Sequence, residues 1–107
     1  MAERIIETSQ LLSDMKIRES KCYLISFKKC KIISINTNEI CYSAKKEITN
    51  IAVDLFRKCS AKWGKDTRAA LLGDIIIIAR RNEFVKFIRM YGYDDESEAL
   101  IELLESS

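Results

Sequence analysis

The residues best suited to chemistry are four cysteines, Cys22, Cys30, Cys41 and Cys59. Thiolates bind zinc or act as nucleophiles, and each role has a recognisable sequence setting. Here no two cysteines form a C-x-x-C pair, and the chain has no histidine to act as a base or a metal ligand. The pattern therefore predicts reduced thiols, no metal or other cofactor, no catalytic residues and no enzymatic activity.

Charge is distributed unevenly along the chain. The net charge of the whole chain is +2, yet residues 94–107 hold six acidic side chains and no basic one. That segment contributes −6, so residues 1–93 carry +8. A basic body of this kind favours an anionic partner, either nucleic acid or an acidic protein. The alternative is that the basic residues are simply solvated and the acidic tail balances them.

The composition is typical of one folded domain. The chain has 107 residues, of which 48% are hydrophobic and 32% charged, enough for one modest core and unlike a disordered segment. The longest apolar run, residues 75–79, is too short to cross a bilayer, and the N-terminus lacks a secretory apolar region. We predict one domain over residues 1–93, including an N-terminal helix, and an acidic helix or tail over residues 94–107.

Helical periodicity is strongest between residues 36 and 64. Asn36 or Thr37 can cap a helix, and Glu39 completes a capping-box pattern. Apolar residues then recur at steps of three and four: Ile40, Ala44, Ile48, Ile51, Ala52, Leu55, Phe56, Cys59 and Trp63. Gly64 is a suitable stop, because glycine tolerates the left-handed geometry of helix ends. The pattern predicts a central helix of about 27 residues.

Shorter elements are predicted on either side of this helix. Residues 3–16 have near-helical spacing. Residues 22–29 are assigned to a helix followed by an extended piece at 32–35, but alternating Tyr23, Ile25 and Phe27 leave a β-hairpin open. After the basic connector 65–68, a further helix is predicted to begin between Thr67 and Gly73 and to run through Arg81 to residue 90. The fold class predicted is all-α.

This order of elements resembles the histone fold, and most closely the centromere protein S family, over about residues 22–90. The polar start at residues 36–40 looks like the cap of the family's long central helix. Asp74-Ile75 and the run Ala79-Arg80-Arg81-Asn82 are similar to the family's signatures around its third helix. One departure is Thr67, which stands where the family has an arginine. The resemblance implies a histone fold of short, long and short helices with a C-terminal helical extension.

The resemblance also implies partners and the residues that meet them. A histone-fold partner, such as a centromere protein X-like chain, would form a heterodimer or heterotetramer with this one. The implied dimer contacts are Ile48, Ile51, Leu55, Phe56, Trp63 and Ile75. The implied tetramer contacts are Arg80, Arg81 and Phe84. Double-stranded DNA would be bound largely without sequence specificity by Lys28, Lys29, Lys31, Lys62, Lys65, Arg68, Arg80 and Arg81.

The implied setting is the nucleus, at the chromosome or centromere, in kinetochore assembly or DNA repair. Neither a membrane nor a small-molecule substrate is implied. Two other functions remain open: a histone-fold transcription-factor subunit, and a protein-only helical adapter whose basic body binds an acidic partner. A self-contained helical bundle that buries the apolar stripe internally is the structural alternative.

Overall fold

The computed structural model describes residues 3–91, apart from the side chains of Leu72, Met90 and Tyr91. It is a mixed α/β structure, so the prediction of an all-α histone fold is wrong. The predicted acidic helix at residues 94–107 lies outside the described residues. The elements in chain order are β1 (Arg4–Ile5), α1 (Thr8–Leu11), α2 (Asp14–Glu19), β2 (Cys22–Ser26), β3 (Lys31–Ser34), β4 (Glu39–Tyr42), α3 (Ile48–Trp63), a 3-10 turn (Gly64–Asp66), β5 (Thr67–Leu72), β6 (Ile75–Arg80) and α4 (Arg81–Tyr91).

The described strands form one six-stranded sheet in the order β1-β4-β3-β2-β6-β5. The short β1 pairs with β4 in parallel, and every other pairing is antiparallel. Strands β2, β3 and β4 form a meander, and β5 and β6 form a hairpin. Because β6 pairs with β2, the helix α3 must cross the sheet from β4 to the far edge at β5.

The long central helix is only partly present. Its predicted first third is instead a turn and the strand β4, and α3 begins at Ile48. Asn36 does not cap a helix: its side chain accepts from the Lys21 N–H at 2.7 Å and donates to the Glu19 carbonyl oxygen at 2.7 Å. The helix does end at Gly64, whose φ of 62° is unfavourable for other residues. Residues 22–29, for which a helix was predicted and a β-hairpin left open, form the strand β2 and most of the turn that joins it to β3 in a hairpin.

The predicted third helix is a β-hairpin up to Arg80. Its turn contains Gly73, with a φ of 64°, and Asp74, so Asp74 does not begin a helix. Four consecutive isoleucines occupy β6, and β-branched side chains pack well on a sheet. Both faces of this part of the sheet are covered by helices, so the strand shows no polar–apolar alternation. Only the last part of the predicted helix, α4, is helical.

The core has two layers, one on each face of the sheet. On one face α1, α2 and α3 bury Tyr23, Ile25 and Ile32; on the other, α4 packs Phe84 and Ile88 against β2 and β6. Four of the implied dimer contacts are buried inside this chain: Ile48, Ile51, Leu55 and Trp63. Of the other two, Ile75 is half-buried and Phe56 is exposed. Apart from Phe56, the chain's own core therefore covers the part of the apolar stripe that lies in α3, which was expected to need a histone-fold partner.

Candidate functional site

Three connections meet at one end of the sheet. They are the β2–β3 turn (residues 27–30), the β4–α3 connection (residues 43–47) and the β5–β6 turn (residues 73–74). The backbone N–H of Ser43 donates to the carbonyl oxygen of Cys30 at 2.9 Å, and the N–H of Phe27 donates to that of Asp74 at 3.3 Å. These bonds hold the three connections side by side, although they are distant in sequence.

Five lysines lie at this end of the sheet, and we call them the lysine end: Lys28, Lys29, Lys31, Lys45 and Lys46. Four of them belong to the β2–β3 turn and the β4–α3 connection, and Lys31 is the first residue of β3. Four are exposed and Lys31 is half-buried. The three connections also carry two carboxylates, that of Glu47 before α3 and that of Asp74 in the β5–β6 turn. Within the described residues, none of the five lysines forms an ion pair. The lysine end is therefore a concentration of positive charge available to an anion.

An exposed aromatic ring adjoins the lysine end. Tyr42 is the cross-strand partner of Lys31, so the two side chains lie on the same face of the sheet. The tyrosine is 55% exposed although it is a large apolar side chain. Sequence reasoning missed Tyr42, Lys45 and Lys46, because it placed residues 39–46 in the central helix. The available signal was the short run at residues 39–42 directly after Asn38, because asparagine is a residue type that tolerates left-handed turns. In the structure the φ of Asn38 is 58°.

The other implied DNA-binding residues lie at the opposite end of the sheet. The six residues of β6 separate the two ends by roughly 17 Å. There Lys62 pairs with Asp14 at 3.1 Å, and its hydrogen bond and charge lower the pKa of that carboxyl. Arg68 donates to the carbonyl oxygens of Lys65 at 2.6 Å and Thr67 at 2.9 Å. The structure thus divides the implied DNA-binding residues into two groups at opposite ends of the sheet.

The three implied tetramer contacts also have positions within this chain. The guanidinium of Arg80 lies 5.6 Å from the centre of the Trp63 ring, in cation–π geometry. Arg81 begins α4 and is half-buried, and Phe84 is 1% exposed in the core under α4. Arg80 and Phe84 therefore stabilise this chain's own packing, which reduces their freedom to contact phosphate or a partner.

A buried carboxylate joins three elements at the side of the sheet. Glu39 is 1% exposed, and its Oε2 accepts from Arg4 at 2.6 Å and lies 2.7 Å from the Lys16 Nζ. Burial alone would raise the pKa of this carboxyl, but hydrogen bonds from Lys16, Arg4 and Thr37 outweigh it and lower the pKa to about 2. Glu39 stays ionised and ties β1 and α2 to β4, which is a structural role.

The cysteines are free thiols in the structure. Cys22, Cys41 and Cys59 are buried and Cys30 is half-buried. Burial raises the pKa of the Cys22 and Cys59 thiols to about 12, so neither forms a thiolate readily. Within residues 3–91, no three side chains of the histidine, cysteine, aspartate or glutamate type come together to hold a metal ion.

No family model, curated protein or solved structure matches this chain. In the part of the chain that the structure describes, no helix is both long enough and apolar enough to span a membrane. The lysine end and its neighbouring ring are therefore interpreted from their geometry and chemistry.

Proposed function

We propose that this chain is a non-enzymatic nucleic-acid-binding domain that contacts phosphates through the lysine end. The observation that carries the proposal is the bond from Ser43 to Cys30, which places two lysine-bearing connections side by side. Five lysines without described ion-pair partners then share one end of the sheet. Exposed ammonium groups gain affinity for nucleic acid by releasing counterions from the phosphates.

Phosphate contacts of this kind position a protein without reading sequence. Lysine is a flexible point charge, and the five ammonium groups sit on turns and connections and at a strand end. We therefore infer binding that depends on charge and salt and discriminates little between base sequences.

The exposed ring of Tyr42 favours a single strand over the double-stranded DNA implied by the histone-fold resemblance. Proteins that bind single strands combine a basic surface with aromatic rings on which bases stack. Tyr42 lies directly across from Lys31, so a base on the ring would keep its phosphate near the lysine end. A duplex, whose bases are already stacked on each other, gains nothing from this ring.

The kinetochore or repair role, the centromere protein X-like partner and the nuclear location were implied by the histone fold. The chain does not adopt that fold, so they are not part of the proposal and remain predictions.

A binding titration on the full chain tests the proposal. Fluorescence anisotropy would compare a short labelled single strand, the matching duplex and poly-glutamate of similar length, at one low salt concentration. We expect the single strand to bind most tightly. Poly-glutamate that binds as well as the single strand would assign the lysine end to an acidic protein instead. Equal affinity for the duplex would remove the role of Tyr42.

A further inference from the structure

The strand β5 is an open edge of the described sheet. In residues 3–91 it pairs with β6 and with no other strand. Edge strands are commonly guarded by lysine or proline, which discourage pairing with another chain. The one charged residue of β5, Arg68, is turned back onto the carbonyl oxygens of Lys65 and Thr67. Within residues 3–91, the six residues of β5 therefore form an unguarded edge that is available for pairing.

An apolar groove runs beside this edge, between α3 and the β5–β6 hairpin. Its volume is about 350 Å³, and its lining includes Phe27, Ala52, Val53, Phe56, Ala69 and Ile76. Val53 and Phe56 are 43% and 40% exposed. Leu71, the cross-strand partner of Ile76 on the same face, is 64% exposed. This exposed apolar surface adjoins the free edge, so one partner strand could cover both.

We propose that the occupant is a second copy of this chain, paired through β5 in the antiparallel sense about Ala70. In that register each Ala70 faces the partner's Ala70, and Leu71 faces the partner's Ala69. The exposed leucine of each copy is thus placed over the small alanine that lines the other copy's groove. A large side chain meets a small one twice, as a two-fold axis requires.

The charges of the strand fit the same pairing. Arg68 of each copy lies across from the partner's Leu72, so no like charges are directly opposed. Because the paired strands are antiparallel, the two lysine ends point in opposite directions. Pairing therefore leaves both of them accessible, and the proposal is independent of the function proposed above.

Sedimentation equilibrium of the full chain over a concentration series tests the pairing. We expect a species of twice the 12.4 kDa chain mass. Leu71→Glu should weaken association by about 100-fold or more, because it places two carboxylates in the apolar contact. The matched control is Ile5→Glu, at a 70% exposed isoleucine on the opposite edge strand, which should leave association unchanged. A monomeric wild-type chain, or dissociation by the control, would overturn the proposal.

A crosslink tests the register and does not depend on disrupting the contact. Directly opposed residues in an antiparallel pair have Cα atoms about 4.5–5.5 Å apart, within the range a disulfide spans. Ala70→Cys should therefore give a covalent dimer under mild oxidation, with the bond mapped to position 70 in both copies. Thr67→Cys, three residues from the axis, should not crosslink. An Ala70→Cys dimer that fails to crosslink would contradict the Leu71-on-Ala69 packing.

Discussion

The backbone N–H of Ser43 donates to the carbonyl oxygen of Cys30 at 2.9 Å, and this contact ties the approach to α3 to the β2–β3 turn. It continues the β3–β4 ladder beyond the pair Lys31–Tyr42. The connection that carries Lys45 and Lys46 is thereby held beside the turn that carries Lys28 and Lys29. The positive end of the sheet is thus a product of strand pairing rather than of a basic run in the sequence.

Replacing Tyr42 with alanine should weaken single-strand binding by about 1–3 kcal/mol, the usual value of one base–aromatic stack. The salt dependence should stay the same, since no cation is lost. Anisotropy titrations at several salt concentrations measure both quantities. Tyr42→Phe keeps the ring and serves as the matched control. An alanine variant that binds like the wild type would exclude stacking at this position.

Part of the fold could be predicted because its signals are local. The apolar stripe from Ile48 to Trp63, apart from Phe56, is a buried helix face, and Gly64 ends that helix. The sheet could not be predicted in the same way, because strand pairings such as Cys22 with Ala79 join distant segments. Four consecutive isoleucines suit a buried strand or a buried helix, and periodicity alone does not separate the two.

The part of the candidate site that depends on local sequence could be predicted, and the part that depends on strand pairing could not. Lys28, Lys29 and Lys31 are adjacent in sequence, so their shared position is a local property. Lys45, Lys46 and Tyr42 join them only because β4 pairs with β3. Residues 36–47 carry a capping-box pattern and helical spacing, which predict a helix. They form a turn and the strand β4 instead, because β4 pairs with β3 in the sheet. Long-range pairing overrode the local preference.

Glu39→Gln should reduce the free energy of unfolding by about 3 kcal/mol at neutral pH, because it removes the buried counter-charge 2.7 Å from the half-buried Lys16 and leaves that lysine only the exposed Glu19 carboxylate at 3.9 Å. Urea denaturation measures the change. The matched control is Glu3→Gln at an exposed glutamate, which should change stability by no more than about 0.5 kcal/mol.

The ionised Glu39 carboxylate should also make the free energy of unfolding depend on pH in the acidic range. Its pKa is lowered from 4.5 to about 2, so its contribution is fully present above pH 4.5 and is lost as pH falls towards 2. The difference in stability between wild type and Glu39→Gln should therefore shrink over that range. A difference that stays constant from pH 4.5 to 2 would show that Glu39 is not held ionised by its partners.

Trp63 and Phe56 should respond differently to substitution, although the histone-fold resemblance implied that both lie in one dimer interface. The Trp63 ring stacks on Tyr23 at 6.3 Å, and its Nε1–H donates to the Ile17 carbonyl oxygen at 3.2 Å. Trp63→Ala should cost about 3–5 kcal/mol of unfolding free energy. Phe56→Ala, at a 40% exposed ring, should cost about 1 kcal/mol. Equal losses in thermal or urea denaturation would contradict the packing described.

The four cysteines should react with an alkylating reagent at different rates, because they differ in solvent accessibility. Cys30 is half-buried in the β2–β3 turn, whereas the other three are buried. Iodoacetamide should therefore modify Cys30 first, and Cys22, Cys41 and Cys59 only after unfolding. Peptide mass spectrometry of a timed reaction identifies the sites. Rapid modification of Cys59 in the folded chain would show that α3 does not cover it.

The salt dependence of single-strand binding tests the lysine end most directly. Contacts from all five lysines predict that log affinity falls with log salt at a slope of about −3.5. Lys28→Gln with Lys46→Gln removes two contacts and should bring the slope to about −2. The matched pair Lys21→Gln with Lys65→Gln removes the same charge from the opposite end and should leave the slope unchanged. Equal changes from the two pairs, or a wild-type slope near zero, would contradict binding through the lysine end.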